Sequence, residues 1–388
     1  MNLRNDPKAV WISATSGAFE TFKSIVQQTT DPATVPLAVD VIRNIPIYDG
    51  PSVDRAAADP DARQTLKAEW AQVFADGAGV IVIKGALRDG AVIDRASEVF
   101  DQIIRHEKDT NTGKGDHFAK PGANDRIWNS LEKHCLADPQ NFAAYYSCQS
   151  FALASEAWLG PAYQMTAQVN RVNPGGTAQK PHRDYHLGFM SAERMAEYPA
   201  HIHGISPVLT LQGALAHCDM PVETGPTLVL PFSQQFFEGY IAFNRAEYQD
   251  YFSENYVQLP LEKGDAVFFN PAVMHGAGTN HTEDQFRLVN LFQVSSAFGR
   301  AMESVNRTAM CRALFPVLRS APTGVEMANV IAASAEGYPF PTNLDRNPPI
   351  GGIAPKTQAA YMAQAIAEGW TEQAFGEMLD DLQTKNET

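Results

Sequence analysis

Residues 264–278 read Gly264-Asp265-Ala-Val-Phe-Phe269-Asn-Pro-Ala-Val-Met-His275-Gly-Ala-Gly278. A turn pair opens this stretch, an apolar run follows, and a histidine is delivered to the start of a glycine loop. A short apolar run bounded by turn residues suits a buried strand. The same texture recurs along the second half of the chain. Met165–Val172, Pro207–Ala216, Thr227–Leu230, Ala266–Phe269 and Phe286–Val294 are all short β-like runs between turn residues. That spacing predicts an antiparallel sandwich or jelly roll rather than a parallel α/β sheet. A helical-looking insert, Gln234 to Tyr251, interrupts the series.

Outside this region the periodicity changes. Leu66, Trp70, Val73 and Phe74 predict an amphipathic helix over 62–75, and Gly79-Val-Ile-Val-Ile-Lys84 predicts a buried strand after it. Val92, Ala96, Val99 and Ile103 predict a second helix over 91–104, and the polar stretch 106–124 reads as a long loop. Beyond Arg300 the pattern is helical again, broken at Tyr338-Pro-Phe-Pro and Asn347-Pro-Pro-Ile-Gly-Gly, and it ends in an amphipathic helix over 356–382. The expected fold is mainly β with helices, α+β in class, within one domain spanning 1–388. A jelly-roll core over 76–299 is flanked by helical extensions over 1–75 and 300–388.

With 44 acidic against 30 basic residues the net charge is −14, which disfavours nucleic acid and anionic membrane as partners. A small anionic substrate is compatible with that balance, because a few local arginines outweigh a distant field. Cys135, Cys148, Cys218 and Cys311 lie far apart with no CxxC pair, so neither a cysteine zinc site nor a disulfide framework is expected. The N-terminal residues lack a signal-peptide pattern, and no apolar run reaches the ~18 residues of a membrane span. A cytoplasmic protein is the expectation.

Gln179-Lys-Pro-His182-Arg-Asp184-Tyr-His186 carries the first candidate chemistry. Alternate side chains of an extended chain share a face, so His182 and Asp184 can aim at one point and supply two cis ligands to a metal. The triplet alone also fits a surface turn. Far downstream, His275 supplies a third donor of the right kind. Two histidines and one carboxylate on a jelly roll match the facial triad of non-haem iron(II) oxygenases, which leaves positions open for oxygen and an organic cosubstrate. A closed zinc site would need a fourth ligand, and none is evident. Arg287, in a β-like run able to pair with the strand carrying His275, offers a planar guanidinium suited to a carboxylate. Its plainer role would be a surface salt bridge.

Taken in order, these stretches resemble the phytanoyl-CoA dioxygenase family of iron(II)/2-oxoglutarate-dependent oxygenases. The matching pieces are Gly79-Val-Ile-Val-Ile-Lys-Gly-Ala-Leu87, the His182-Arg-Asp184 triplet, Glu223-Thr-Gly-Pro-Thr-Leu-Val-Leu-Pro-Phe-Ser233, Lys263-Gly-Asp265, His275-Gly-Ala-Gly-Thr-Asn280 and Arg287. They cover roughly residues 75–295. The resemblance implies a double-stranded β-helix, Fe(II) held by His182, Asp184 and His275, 2-oxoglutarate chelated to the iron with its far carboxylate on Arg287, and O2 as oxidant. Two departures stand out. Ala277 occupies a place where many members carry serine or threonine, and Pro231-Phe-Ser-Gln234 replaces a Pro-Gly-Ser-His end.

Further candidates follow from position. Gln168 and Thr227 are placed to bind cosubstrate, and Asn170 shares a strand face with Gln168. Tyr185 and His186 follow the triplet at the expected mouth, and Lys120, with Lys114 and His117, sits in the long loop where it could meet an anionic substrate. His201 and His203 form an HxH pair with no partner in the right order and read as structural. The expected activity is hydroxylation of a C–H bond of a small polar or anionic metabolite, since no coenzyme A cradle is evident. A cupin-like metalloenzyme working without 2-oxoglutarate and a silent jelly-roll binding protein are the alternatives. Oligomeric state is left open; the C-terminal helix suits the core or a neighbouring copy equally.

Overall fold

The computed structural model describes residues 10–110, 112 and 123–386. Ten strands are found among them: β1 (Asp40–Ile42), β2 (Ile45–Asp49), β3 (Val80–Lys84), β4 (Asn124–Ile127), β5 (Gln164–Val172), β6 (Thr210–Ala216), β7 (Thr227–Leu230), β8 (Ala266–Phe269), β9 (Met274–Ala277) and β10 (Arg287–Ser295). The large sheet has eight strands in the order β1-β2-β3-β8-β6-β10-β5-β4, and β7 and β9 form a second sheet. Among the described strands only the β2–β3 pairing is parallel. The small sheet is extended by single bridges, His182 to His275 on one side and Val229 to Val257 on the other. The architecture is α+β with a jelly-roll core.

The large sheet owes its position to the two-residue alternation of its strands. In β10, Leu288, Phe292 and Val294 join the main apolar cluster behind the sheet, where helices supply Trp70, Phe74, Phe100, Phe151, Leu314 and Phe375. The alternate residues Arg287, Val289, Leu291 and Gln293 line a cavity on the opposite face. β5 does the same: Ala167 and Val169 are in the rear cluster, whereas Gln168 and Asn170 face the cavity. The small sheet closes the cavity from the other side. Its outward residues Leu228, Leu230 and Met274 are covered by Phe22, Phe236, Tyr248 and Phe252, from the helix Phe19–Val26 and the insert after β7.

The helices begin where local chemistry favours it. Asp59 accepts from Asp61 N and Ala62 N ahead of Pro60 at the first position of the helix Pro60–Ala75, and Asp89 caps the helix Gly90–Asp109 in the same way. Three helices between Ser130 and Leu159 pack behind the sheet with no counterpart in the sequence expectations. The expected helix over 356–382 is two helices, Gln358–Ala367 and Glu372–Asn386, parted at Gly369 with φ +67°. The strand carrying His275 pairs with β7, and β10 pairs with β5 and β6, so the expected pairing of those two strands is corrected. Among the described residues no helix is long and apolar enough to cross a membrane.

Candidate metal centre

After β5 the chain turns through Gly175 and Gly176 and runs beside β9. Gln179 N donates to Ala277 O (2.9 Å), His182 N to His275 O (2.9 Å) and His275 N to His182 O (3.1 Å). This pairing sets the two imidazoles side by side, with ring centroids 4.6 Å apart. Asp184 N is then held by Pro271 O at 3.1 Å. Arg183, between them, points the other way. It is 1% exposed, donates to the carbonyls of Ser233 and Phe236, and lies 5.5 Å from the Tyr240 ring. Burial brings its guanidinium down to about 10.

Both histidines are oriented by backbone. His182 Nδ1 lies 2.8 Å from Lys180 O, and His275 Nδ1 lies 2.8 Å from Val273 O. A carbonyl only accepts, so each Nδ1 donates its proton there, and each Nε2 is the ring atom left to meet a metal. Those two Nε2 atoms face Asp184, at 3.5 Å from Oδ1 for His182 and 3.4 Å from Oδ2 for His275. Burial alone would push the Asp184 carboxyl up, but His275, His182 and the Gln212 amide together bring it to about 2. Burial and the neighbouring His275 pull His182 below its ordinary value.

Among the described residues these three form the one group of histidine, cysteine and carboxylate donors close enough to share an ion, with ligand atoms within 4.8 Å of one another. Two imidazole Nε2 atoms and one carboxylate, on one side of an open cavity, fit a facially bound iron(II) with free coordination positions. The histidine pair and the carboxylate therefore suit iron(II) as a donor set.

The cavity is about 490 Å³ and reaches from the triad to Arg287 and Arg126. Arg287 is buried, and desolvation brings its guanidinium down to about 10. Its Nη1 donates to Thr224 O (2.7 Å) and Gly225 O, and no carboxylate pairs with it among the described residues. Thr227 opens β7 at the cavity, opposite Ala277. Gln168 accepts from Arg126 Nη1 at 3.0 Å, and Asn170 lines the same wall with its Oδ1 buried and unpartnered. Lys120, Lys114 and His117 lie outside the described residues.

Tyr185 and His186 do not face the cavity as expected. Both have positive φ, +65° and +39°, and His186 begins a short 3-10 turn, so strand alternation ends at Asp184. Tyr185 is buried and donates to Gln293 Oε1 at 2.5 Å, while His186 Nδ1 sits 3.4 Å from Ser206 Oγ. His201 is exposed, and His203 is buried with Nε2 against Met195 O at 3.1 Å. Sequence reasoning missed Arg126, Trp128, Gln212 and Gln293, all at the cavity wall. The two glutamines share strand parity with the cavity-facing Ala214 and Leu291, a placement that takes on meaning once β6 and β10 pair and set them opposite each other.

A family model described as "Phytanoyl-CoA dioxygenase (PhyH)" matches residues 49–289. Dioxygenase FrzG from Cladobotryum sp is 29% identical over 126 residues, which is 32% of this chain and 38% of that relative. Among solved structures, the non-heme alpha ketoglutarate dependent epimerase SnoN from nogalamycin biosynthesis is 19% identical with a TM-score of 0.41, covering 62% of this chain and 84% of that one. HygX from Streptomyces hygroscopicus, solved with nickel, 2-oxoglutarate and hygromycin B bound, is 15% identical with a TM-score of 0.42, covering 61% and 89%. The family match spans well over half of the residues, including the triad and Arg287, and the chain belongs to the phytanoyl-CoA dioxygenase family.

Proposed function

We propose that this protein is a non-haem iron(II)- and 2-oxoglutarate-dependent dioxygenase that hydroxylates a C–H bond of a small polar or anionic metabolite, with release of succinate and CO2. The convergence of His182, Asp184 and His275 on one cavity, in a chain of this family, carries the reading. His182 and His275 offer their Nε2 atoms and Asp184 offers a carboxylate, so these three would hold the iron. When bound, iron with 2-oxoglutarate and O2 supplies the oxidising power for the C–H bond.

The protein's own contribution is placement. Arg287, buried and without a carboxylate partner among the described residues, is the group suited to the far carboxylate of 2-oxoglutarate, and Thr227 lines the same cavity and could add a hydroxyl donor. Along the cavity face of the large sheet, Gln168, Asn170 and Arg126 make the β5–β4 end polar, and Val267 and Phe269 make the β8 end apolar. A substrate with one polar or charged edge and one hydrocarbon edge matches that division. An aspartate in the ligand set favours hydroxylation over halogenation, because a halogenating centre vacates that place for halide.

The test is anaerobic titration of Fe(II) and 2-oxoglutarate into the protein, reading the weak visible charge-transfer band of a keto acid chelated to iron(II). A band that forms in the wild type and is lost in His182→Ala supports the reading. Metal binding without a band would exclude 2-oxoglutarate as cosubstrate.

A further inference from the structure

The wall behind Asp184 contains an amide whose two ends are in different situations. β6 reads Thr-Leu-Gln-Gly-Ala-Leu-Ala, and on its cavity face Gln212 is followed by Ala214 and Ala216. Gln212 is 4% exposed. Its Nε2 donates to Asp184 Oδ2 and lies 3.3 Å from Gln293 Oε1, which also receives the Tyr185 hydroxyl at 2.5 Å. An ionised carboxylate only accepts, so the end of Gln212 that meets Asp184 is the nitrogen, and the position of the oxygen follows from it. That Oε1 is one amide width from the nitrogen touching Asp184, and it is buried with no hydrogen-bond partner.

Buried amide oxygens are almost always paired, so an orphan beside a metal-ligand set calls for a donor. The triad does not supply one: both histidine Nδ1–H groups are spent on backbone carbonyls, and Asp184 is an acceptor. Asn170 Oδ1 on the same wall is likewise buried without a partner, so the cavity holds two unmet acceptors. The amide is planar, so with Nε2 held by Asp184 and Gln293 the direction of Oε1 is set, and a donor has to come to it.

We propose that Gln212 is a two-ended positioning and specificity residue. Its Nε2 fixes Asp184 Oδ2, leaving Oδ1 for the metal, and its Oε1 receives a hydroxyl or N–H donor that the substrate carries beside the carbon to be oxidised. Tyr185 and Gln293 form the outer part of the same chain and hold the Gln212 amide in register. This inference deepens the oxygenase reading above and rests on it for the word substrate.

Two measurements test it. Anaerobic Co(II) titration, read by the d–d spectrum, should show affinity falling roughly 10- to 100-fold in Gln212→Met and less in Tyr185→Phe, the usual scale for groups that orient a metal ligand. Unchanged Co(II) affinity in folded Gln212→Met, and in Gln212→Leu as a second variant, would overturn the positioning role. The second measurement uses 4-hydroxymethylbenzoate and 4-methylbenzoate, which differ by one hydroxyl, as probes of the Fe(II)–2-oxoglutarate band. In the wild type the hydroxylated probe should perturb the band at roughly 2- to 12-fold lower concentration, the worth of one hydrogen bond. In Gln212→Met that ratio should fall to about one, an effect a purely structural role would not produce. Equal or weaker binding of the hydroxylated probe, no perturbation by either, or a ratio that survives in Gln212→Met would overturn the donor role. If no band forms at all, the oxygenase reading itself falls, so the two failures are distinguishable.

Discussion

Asp184 is the residue on which the centre turns, because it faces both imidazoles and also accepts from Gln212. Asp184→Ala removes the one anionic donor and leaves the Gln212 amide without its acceptor. We expect oxidation of substrate to be abolished and iron(II) affinity to fall by more than about 100-fold, beyond the usual cost of losing an outer partner; retained hydroxylation would remove Asp184 from the ligand set. Arg287 tests the cosubstrate end. Losing a charged hydrogen bond should weaken 2-oxoglutarate binding roughly 10- to 150-fold in Arg287→Ala. Arg287→Lys should recover only part, since a point charge lacks the planar fork; calorimetric titration of the metal-loaded protein measures both, and an unchanged affinity would show that another group holds that carboxylate. At this scale the sequence was informative wherever chemistry needs a rare residue type in a fixed order, as with His182, Asp184, His275 and Arg287. It was silent on Gln212 and Gln293, whose amides acquire meaning only when β6 and β10 lie side by side and place them opposite each other.

The elements that hold these groups are as demanding as the groups themselves. The turn before β7 places Gly225 at φ +76°, and a Cβ there would strike the carbonyls of Gly278 and Thr279. The same turn supplies the Thr224 and Gly225 carbonyls that meet Arg287. Gly225→Ala should therefore cost about 1–2 kcal/mol from the left-handed backbone alone and also weaken 2-oxoglutarate binding, both readable by urea unfolding and titration; normal binding in a destabilised variant would uncouple the turn from Arg287. Behind the large sheet, His217 is held between Ser97 Oγ (2.8 Å) and the Tyr145 hydroxyl (2.8 Å), and burial brings it down to about 3. His134 nearby is brought down to about 4, again by burial. Both resist protonation when folded, whereas the unfolded chain takes up protons near pH 6.5 (about the free histidine value). Their contribution to stability is thus complete above that pH and is lost as pH falls towards 4 and then 3, with a slope of about 1.4 kcal/mol per pH unit for each histidine. Urea unfolding of the wild type and of His217→Gln at stepped pH should show a shallower slope in the variant, and equal slopes would mean His217 titrates normally. Elements with a one-sided apolar stripe, such as 60–75 and 90–109, were legible from the sequence. The helices between Ser130 and Leu159 were not; in Gln149–Leu159 the buried residues run unbroken from Ser150 to Ser155, which blurs the stripe that periodicity detects.

For the whole molecule, we propose that residues 1–388 fold as one domain. The main apolar cluster draws Tyr48 and Trp70 from the N-terminal region, Phe268 and Phe292 from the sheet, and Leu314, Phe315, Phe375 and Leu379 from the C-terminal helices. The rings of Phe315 and Phe375 stack at 4.2 Å, and Arg307 Nη2 donates to Met165 O in β5 at 3.0 Å, so the last helices are fastened to the sheet that carries Gln168 and Asn170. Burying four large apolar side chains of this kind is worth about 6–12 kcal/mol at roughly 1.5–3 kcal/mol each, comparable to the whole net stability of an ordinary domain. A chain cut after residue 299 would lose all four and expose the rear of the large sheet. The full-length protein should therefore unfold in a single calorimetric transition, and the 1–299 fragment should fail to give a cooperative one and should not bind cobalt(II), because the sheet that sets the cavity wall loses its backing. Two separate transitions, or a soluble 1–299 fragment with native metal affinity, would mean instead that the C-terminal helices are a later addition to a self-sufficient β core.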